Sequence, residues 1–364
     1  MGMKLTRRFV LGAAAVAMMV SGGLSPASAI ETIKLTAIDG YPARAMWVKE
    51  FSSFFLPKVN EILAKEGKYK IAWTEAYGGT IVKPKGVLEG IKLGLGDVGV
   101  VTTVFHGDKI PLQAVAYVTP FSSINPKLVA QTVDKLAEKY PQYKEHFAKQ
   151  NQVYLTSACV LDTYQVFSKK PINKLADMKG LKMAGAGYNL RYVEGIGAAG
   201  VGGPLVSYYN KLQTGVVDAI MLWPEAAVTF KIYEVGPHML EANIGTVNSK
   251  AVTVNADTWK KLPDEVKAAL KEASIMYRDR LADVAMDRAA AKVAAYKENG
   301  GKVVTLSDEQ RNEWVKSMPN ISKEWADKLE GKGVPAKKIL ADYMNLLREG
   351  GAKPARNWDQ ELTN

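Results

Sequence analysis

Hydrophobic and polar residues alternate along the first third of the chain with two different periods. Residues 31–38 alternate with period two, which predicts a strand, and residues 45–66 carry apolar side chains at helical spacing, which predicts a helix. A second strand is predicted over 69–77, followed by a short helix over 84–93 and an apolar strand over 97–104. This order indicates parallel strands joined by crossover helices.

A second set of alternating elements begins after residue 150. Residues 152–168 predict a long strand that passes from one half of the molecule to the other, and residues 246–255 predict a strand that crosses back. Between them the pattern predicts shorter elements, namely strands over 181–183, 201–205 and 219–223 and helices over 190–198 and 208–214.

The longest predicted element is a helix over residues 263–299. Pro263 and the acidic residues Asp264 and Glu265 are favourable at a helix start, and the sequence Asn299-Gly300-Gly301 is typical of a helix end. At a rise of about 1.5 Å per residue this helix would be on the order of 55 Å long, which exceeds the width of one domain. We therefore expect a spine that packs against two lobes.

These elements predict an α/β protein with two lobes, each a mainly parallel sheet flanked by helices, bridged by crossing strands and the long helix. We expect lobe I to comprise residues 30–156 and 249–289, and lobe II to comprise residues 157–248 and 290–364. Ligands of open α/β sheets bind outside the carboxyl ends of the strands, so we expect the ligand to lie between the lobes.

The first 29 residues have the pattern of a cleaved signal peptide. Lys4, Arg7 and Arg8 precede an apolar stretch over residues 9–20, and Ala-Ser-Ala at 27–29 is a typical cleavage signature. The stretch is shorter than the roughly 20 apolar residues that span a bilayer. We therefore expect export to the periplasm, and the paired arginines leave both the twin-arginine and the general secretory routes open.

Composition and charge exclude several classes of protein. The formal net charge is +11, but no run of five or more Lys and Arg residues occurs, so we expect no nucleic-acid partner. The single cysteine, Cys159, excludes an intramolecular disulfide, and its apolar neighbours favour a buried core position over a reactive nucleophile. Hydrophobic residues make up 47% of the chain, which allows a large core.

The motifs that usually indicate an enzyme do not argue for one here. Two G-x-G-x-x-G matches, over 94–99 and 195–200, are predicted to close a helix and open a strand, which is the reverse of the dinucleotide-binding order. The three histidines, His106, His146 and His238, lack metal-ligand spacing. We therefore predict no cofactor, no metal and no catalysis.

Several segments along the mature chain share the pattern of one family. They are Ser168-Lys169-Lys170-Pro171-Ile172, Leu175-Ala176-Asp177-Met178-Lys179-Gly180-Leu181-Lys182-Met183, Leu212-Gln213-Thr214-Gly215-Val216-Val217-Asp218-Ala219, Trp223-Pro224-Glu225-Ala226, Phe230-Lys231-Ile232-Tyr233-Glu234-Val235, Asn255-Ala256-Asp257-Thr258-Trp259 and Leu262-Pro263-Asp264-Glu265-Val266. In this order the segments resemble the substrate-binding subunits of TRAP transporters, the DctP-like family. The resemblance implies the two-lobed periplasmic-binding-protein fold, no chemistry, and delivery of a solute to a membrane permease.

One position departs from the family pattern. The family reads Gly-Leu-Lys-(Ile/Met)-Arg, and the resemblance implies that this arginine clamps a substrate carboxylate, but Ala184 stands at the matching position here. Arg191 or Arg44 could replace it, although Arg191 is equally consistent with a solvated helix residue. We expect Ala184 and Trp223 to line a common void. The predicted ligand-binding residues are Tyr41, Tyr77, Thr103, Tyr164, Ala184, Arg191, Tyr208, Trp223 and Glu225.

The sequence therefore predicts a monomeric periplasmic solute-binding protein that captures a small organic anion and delivers it to the integral membrane subunits of a TRAP-type permease. The missing arginine and the many tyrosines favour an acid that is bulkier or more aromatic than a C4-dicarboxylate. A periplasmic sensor that presents a bound solute to a receptor is the alternative function. An exported hydrolase or isomerase would need a nucleophile–base pair or a metal cluster, which the sequence does not show.

Overall fold

Residues 30–362 of the chain are described by a computed structural model, so the predicted signal peptide lies outside the described residues. Two separate sheets contain all the strands of this part of the chain. The first sheet contains β1 (Glu31–Ile38), β2 (Tyr69–Ala76), β3 (Val98–Thr102), β4 (Gln152–Ala158) and β10 (Lys250–Asn255). The second contains β5 (Gln165–Ser168), β6 (Lys182–Gly185), β7 (Ala199–Gly202), β8 (Ala219–Leu222), β9 (His238–Glu241) and β11 (Lys302–Thr305).

The first sheet has the strand order β2-β1-β3-β10-β4 and forms the centre of lobe I. β1 is parallel to both β2 and β3, whereas β10 runs antiparallel to both β3 and β4. In this register Lys250, the first residue of β10, lies opposite Thr102 on one side and Ala158 on the other. A strand from a distant part of the chain is thus inserted into the middle of the sheet.

The second sheet has the order β11-β9-β5-β8-β6-β7 and forms the centre of lobe II. β6 is parallel to β7 and β8, and β9 is parallel to β11, while β5 runs antiparallel to β8 and β9. Each sheet is therefore mainly parallel with one antiparallel strand. This confirms the predicted two-lobed α/β fold, although the pattern analysis did not predict β9 and β11.

Helices cover the faces of both sheets. They are α1 (Met46–Glu50), α2 (Leu56–Ala64), α3 (Val87–Lys92), α4 (Pro126–Lys139), α5 (Gln142–Ala148), α6 (Tyr208–Gln213), α7 (Pro224–Thr229), α8 (Ala256–Lys261), α9 (Asp264–Glu298), α10 (Asp308–Ser317), α11 (Ile321–Glu330) and α12 (Ala336–Glu349). A π-helical turn, Phe51–Phe55, connects α1 to α2. Pro57 follows this turn and cannot donate the backbone hydrogen bond of a regular α-helix.

The long helix α9 is the predicted spine, and its bounds differ from the prediction by one residue at each end. Its first half packs on lobe I, where the Tyr277 hydroxyl donates to the carbonyl oxygen of Trp47 at 2.7 Å. Its second half packs on lobe II, where the Tyr296 hydroxyl donates to the carbonyl oxygen of Gly236 at 2.6 Å and the Tyr296 ring contacts Phe167. Among the described helices, none is both long and apolar enough to cross a membrane.

Two crossing segments connect the lobes, and they are not the continuous strands that the pattern predicted. The stretch 152–168 is divided into β4 and β5, which belong to different sheets, and the strand predicted over 246–255 begins only at Lys250. Between the sheets the two segments bond to each other, for example from Gly245 N–H to the Thr163 hydroxyl at 2.9 Å. Side chains here satisfy backbone groups that a strand ladder would otherwise pair. The lobe boundaries at 156/157, 248/249 and 289/290 stay a prediction.

Candidate functional site

A cavity of about 50 Å³ lies between the two lobes. Both lobes contribute to its walls, mainly through aromatic and apolar side chains. The lining residues are Tyr41, Trp47, Thr102, Val104, Phe105, Tyr117, Tyr164, Ala186, Asn189, Leu205, Tyr208, Met221, Leu222, Trp223, Ser249 and Lys250.

The topology of the sheets explains why these residues meet. Tyr41 follows the carboxyl end of β1, Ala186 follows β6, and Trp223 follows β8, as expected for a ligand site of an open α/β sheet. The antiparallel strands β5 and β10 contribute the residues at their amino ends, Tyr164 and Lys250. Because β5 and β10 run antiparallel to their neighbours, their amino ends lie at the same edge of the sheet as the carboxyl ends of the parallel strands. They therefore add side chains to the site that the parallel strands alone would not supply.

Four aromatic rings form a continuous wall that runs from lobe I to lobe II. Tyr41 meets Trp47 edge-on with ring centroids 4.9 Å apart, and Trp47 lies 6.4 Å from Trp223. Trp223 in turn meets Tyr164 edge-on at 6.1 Å. Such separations are within the range of favourable aromatic pairs. The wall therefore connects the lobes through direct side-chain contact.

Lys250 supplies the cavity with a buried cationic group. Only 3% of the residue is exposed, and its Nζ donates to the Thr102 hydroxyl at 2.9 Å. The same nitrogen lies over the Trp47 ring, 3.9 Å from the ring centroid. Burial lowers the pKa of Lys250 well below its usual value, and the nearby Asp39 carboxylate opposes that shift. Among the described residues that line the cavity, Lys250 alone carries a basic side chain.

Asp39 lies behind the wall, next to Trp47. Its carboxylate accepts hydrogen bonds from Tyr41 N–H at 2.7 Å and from Trp47 Nε1 at 3.0 Å. Burial raises the pKa of Asp39, while Lys250 and the two hydrogen bonds act to lower it. The Trp47 indole thus contacts the acid through its edge and the ammonium group through its face.

Two polar atoms of the lining have no hydrogen-bond partner within residues 30–362. These are the Asn189 side-chain oxygen and the Ser249 hydroxyl, and both are buried. Buried polar atoms in proteins are nearly always paired, because an unpaired one costs about 1–3 kcal/mol. Since both residues line the cavity, these atoms are available to a bound solute.

The structure brings four of the predicted site residues together in this lining: Tyr41, Tyr164, Tyr208 and Trp223. The other five lie outside it.

Ala184 is fully buried within β6 and does not line the cavity. The strand carries the chain two residues further before it reaches the site, so Ala186 is the alanine that meets Trp223 there. The expected common void of Ala184 and Trp223 is therefore not found in this conformation.

Tyr77, Thr103 and Glu225 lie close to the lining residues but do not form part of it. The Thr103 hydroxyl donates to the carbonyl oxygen of Asn248, and Glu225 accepts from Trp223 Nε1 at 3.3 Å. The Tyr77 hydroxyl is buried and has no partner in the described part of the chain. Glu225 thus holds the Trp223 indole from outside the cavity.

Neither candidate arginine reaches the cavity. Arg191 lies on the surface of lobe II, where its guanidinium group donates to both carboxylate oxygens of Glu324, at 2.7 and 3.2 Å, and also pairs with Glu194. Arg44 lies over the Phe230 ring, 5.1 Å from its centroid, at a neighbouring surface pocket. The hypothesis of a displaced arginine in the lining is thus not supported, because both side chains have other partners.

The sequence analysis did not predict Lys250 as a site residue, although one feature of the sequence points to it. It directly precedes the apolar strand residues Ala251 and Val252, and a lysine next to such a run is unusual for a core strand. Nothing in the local pattern shows that this strand is inserted between β3 and β4, which is what buries the lysine.

Other sequence features have structural roles. Cys159 is buried, as predicted, and burial raises the pKa of its thiol. The second G-x-G-x-x-G match closes a 3₁₀-helix, Gly187–Ile196, and opens β7, so it does not have the geometry of a dinucleotide loop. Within residues 30–362, no group of three or more His, Cys, Asp or Glu side chains could hold a metal ion.

A cleft between two α/β lobes with a largely aromatic and apolar cavity defines a two-lobed solute-binding protein. The profile of the DctP family, described as bacterial extracellular solute-binding protein, family 7, matches residues 41–328. The chain belongs to this family, which comprises the substrate-binding subunits of TRAP transporters.

Individual relatives are more distant. The chain is 29% identical over 140 residues to the sialic acid-binding periplasmic protein SiaP of Vibrio cholerae, a match that covers 38% of this chain and 43% of that protein. It is 30% identical over 131 residues to the C4-dicarboxylate-binding periplasmic protein DctP of Rhodobacter capsulatus, covering 36% of this chain and 39% of that protein. The matches thus span less than half the length of these relatives.

Solved structures match over nearly the full length. A TRAP solute-binding protein from Rhodoferax ferrireducens, in complex with copurified benzoate, superposes with a TM-score of 0.78 at 18% identity and covers 88% of this chain and 98% of that one. A TRAP periplasmic solute-binding protein from Bordetella bronchiseptica, with bound mandelate, gives 0.75 at 20% identity, covering 87% and 99%. At these identities the similarity establishes the fold.

Proposed function

We propose that this protein captures a small organic acid with a single carboxylate by closing its lobes, and delivers it to a TRAP-type membrane permease. The observation that supports this proposal is the Lys250 ammonium group, which is the one basic group among the described residues of a mainly aromatic and apolar lining. A carboxylate placed beside it would form a buried, charge-assisted hydrogen bond.

The charge of the lining distinguishes between classes of acid. A monocarboxylate can place its charged end at Lys250 and its remaining atoms against the rings of Tyr164 and Trp223. The second carboxylate of a short dicarboxylate would be buried without a cationic partner in this lining, which costs several kcal/mol. We therefore expect discrimination against C4-dicarboxylates.

The size of the cavity limits the solute. Its volume of about 50 Å³ is below the roughly 300 Å³ at which typical ligand pockets begin. A compact acid needs the least adjustment of the walls, whereas a ring-bearing acid such as benzoate requires the lobes to stand further apart than they do here.

Contacts across the cleft support binding by lobe closure. Gly187 of lobe II lies so close to lobe I that an added Cβ would be 2.5 Å from the carbonyl oxygen of Val104. Arg44 of lobe I also lies over the Phe230 ring of lobe II. A solute shifts the equilibrium toward this closed form only by its greater affinity for that form, and Lys250 and Trp223 contribute walls from opposite lobes.

Membership of the family supports export and a permease partner. We propose that residues 1–29 direct export to the periplasm and that the closed monomer docks on the integral membrane subunits of a TRAP-type permease. A test is solute uptake by cells that lack the gene. Loss of uptake of the bound acid supports transport, whereas undiminished uptake together with a lost transcriptional response supports the sensor alternative.

The ligand class can be tested by thermal-shift and calorimetric titration with acids of increasing size. Pyruvate, pyroglutamate and benzoate represent monocarboxylates, and succinate and fumarate represent short dicarboxylates. We expect stabilisation by at least one monocarboxylate and none by the dicarboxylates. Stabilisation by succinate or fumarate without stabilisation by any monocarboxylate would overturn the proposal.

A further inference from the structure

Asp39 is a buried carboxyl group whose direct partners are neutral. It is 1% exposed, and its hydrogen bonds come from the backbone N–H of Tyr41 and the indole N–H of Trp47. The Lys250 ammonium group lies over the face of the same indole. Asp39 and Lys250 thus both contact the Trp47 indole and influence each other electrostatically without forming a direct salt bridge.

Lys250 retains hydrogen-bonding capacity. A protonated lysine has three N–H donors, and Thr102 accepts one of them. The Trp47 and Tyr41 rings lie 3.9 and 5.0 Å from the nitrogen, so their faces occupy part of its surroundings. The remaining donors are available to a solute oxygen in the cavity.

Asp39 and Lys250 are the groups of this cluster that can change charge near neutral pH. The ionisable groups that act on Asp39 come from four elements: Lys250 in β10, Tyr41 after β1, Tyr77 after β2 and Tyr277 in α9. Burial raises the pKa of all three tyrosines above its usual value, so they stay neutral in this range. Burial moves the pKa values of Asp39 and Lys250 in opposite directions, toward each other.

We propose that solute capture in this cavity is linked to protonation of the Asp39–Lys250 pair, so that the pair holds one proton when the cavity is empty and two when a carboxylate is bound. This inference rests on the proposed function, in which a carboxylate occupies the cavity. The empty pair and the occupied pair with its solute are then both neutral overall. An ionised Asp39 beside a bound carboxylate would instead leave a net buried negative charge, which is costly at low dielectric.

The direction of the pH dependence follows from this proton count. A bound carboxylate attracts the Lys250 proton and repels the Asp39 charge, so it raises the pKa of both groups, and binding takes up a proton. The solute carboxyl has an ordinary pKa near 4 and stays ionised throughout. Above about pH 7 the dissociation constant should therefore rise with pH, by up to about tenfold per pH unit.

Calorimetry with the mature protein tests the linkage directly. The tightest-binding acid among pyruvate, pyroglutamate and benzoate is titrated at pH 7.5 in phosphate and in Tris, whose ionisation enthalpies differ. The difference in observed enthalpy measures the protons exchanged, and we expect an uptake of about 0.5 to 1 proton per solute. Binding with no proton exchange would overturn this inference and leave the proposed function intact.

Substitutions assign the uptake to the pair. In Lys250→Arg the cation is permanently charged, so we expect the remaining uptake to come from Asp39. Adding Asp39→Asn to that variant removes the last titrating group and should abolish uptake. Asp108→Asn, which changes an exposed carboxylate, is the matched control and should keep the uptake of the unmodified protein. Equal uptake by the double variant and the control would contradict the assignment.

A measurement without solute tests the inference even if the variants do not fold or none of the three acids binds. Trp47 Nε1 donates to Asp39, so its indole ¹⁵N signal reports the charge of that carboxyl. The signal is assigned by its absence from Trp47→Phe. We expect it to shift with pH between about 5 and 9, centred well above the ordinary value for Asp. A signal that is constant over this range would overturn the inference.

Discussion

The ammonium nitrogen of Lys250 lies 3.9 Å from the centroid of the Trp47 ring, on the face of an indole whose N–H donates to Asp39. This relationship places a cation at the wall of the interlobe cavity without an arginine. It also explains how a lysine that is 3% exposed is tolerated, because a ring face, a hydroxyl and the nearby Asp39 carboxylate together replace water.

Lys250→Met should weaken binding of the preferred acid by at least about 30-fold, because the solute carboxylate would be buried without its partner. Isothermal titration calorimetry measures the change. Lys332→Met, which removes an exposed lysine outside the cavity lining, is the control and should bind as the unmodified protein does. Equal affinities of the two variants would remove Lys250 from the site.

Tyr164→Phe should weaken binding by about 3- to 10-fold, since it removes a hydroxyl at the cavity and leaves the ring in place. Tyr143→Phe is a matched control, because the Tyr143 hydroxyl is buried in lobe I and has no partner among residues 30–362. We expect that control to keep full affinity. If Tyr164→Phe also keeps it, the Tyr164 hydroxyl does not contact the solute.

Gly187→Ala should disfavour the closed form, because the added Cβ would lie 2.5 Å from the carbonyl oxygen of Val104 across the cleft. We expect at least tenfold weaker binding and a larger radius of gyration by small-angle scattering in the presence of solute. Gly180→Ala is the control: Gly180 also has a positive φ, of 81°, but an added Cβ meets nothing within 4 Å. Both variants carry the cost of a left-handed alanine, about 1 kcal/mol, so a defect common to both would reflect backbone strain alone.

Arg191→Ala should leave solute affinity within about twofold of the unmodified protein. Arg191 pairs with Glu194 and Glu324 on the surface of lobe II, and exposed ion pairs contribute at most about 1 kcal/mol to stability. Calorimetry and a melting curve measure the two effects separately. A large loss of affinity without a loss of stability would restore Arg191 as a binding residue.

The elements that matter for the fold were predictable where local chemistry determines them. The helix α9 has a favourable first turn at Pro263 and Asp264, no interior glycine or proline, and a glycine stop at Gly300, so its bounds followed from the sequence. The strands β9 and β11 were not predictable, because each has only four residues and depends on pairing with strands distant in sequence: β9 pairs with β5 and β11, and β11 forms the edge of the sheet.

The candidate site was predictable only in part. Tyr41 and Trp223 follow strand ends, where the carboxyl-end rule places ligands, and both line the cavity. Ala184 was predicted to line the cavity because related sequences have an arginine at this position. The short side chain of alanine does not extend as far from β6 as an arginine side chain would. The bond of Arg191 to Glu324 joins residues 133 positions apart, which no local pattern reveals.

The sequence by itself determined the α/β alternation and the spine helix, because each depends on residues close together in the chain. Only the tertiary structure decided which charge lies in the cavity. Lys250 becomes a buried cation because β10 enters the sheet between β3 and β4, two strands that precede it by more than 90 residues in sequence. This position brings Lys250 to Trp47 and Asp39. Burial and charge pairing depend on these long-range contacts, so they follow from the fold and not from local sequence.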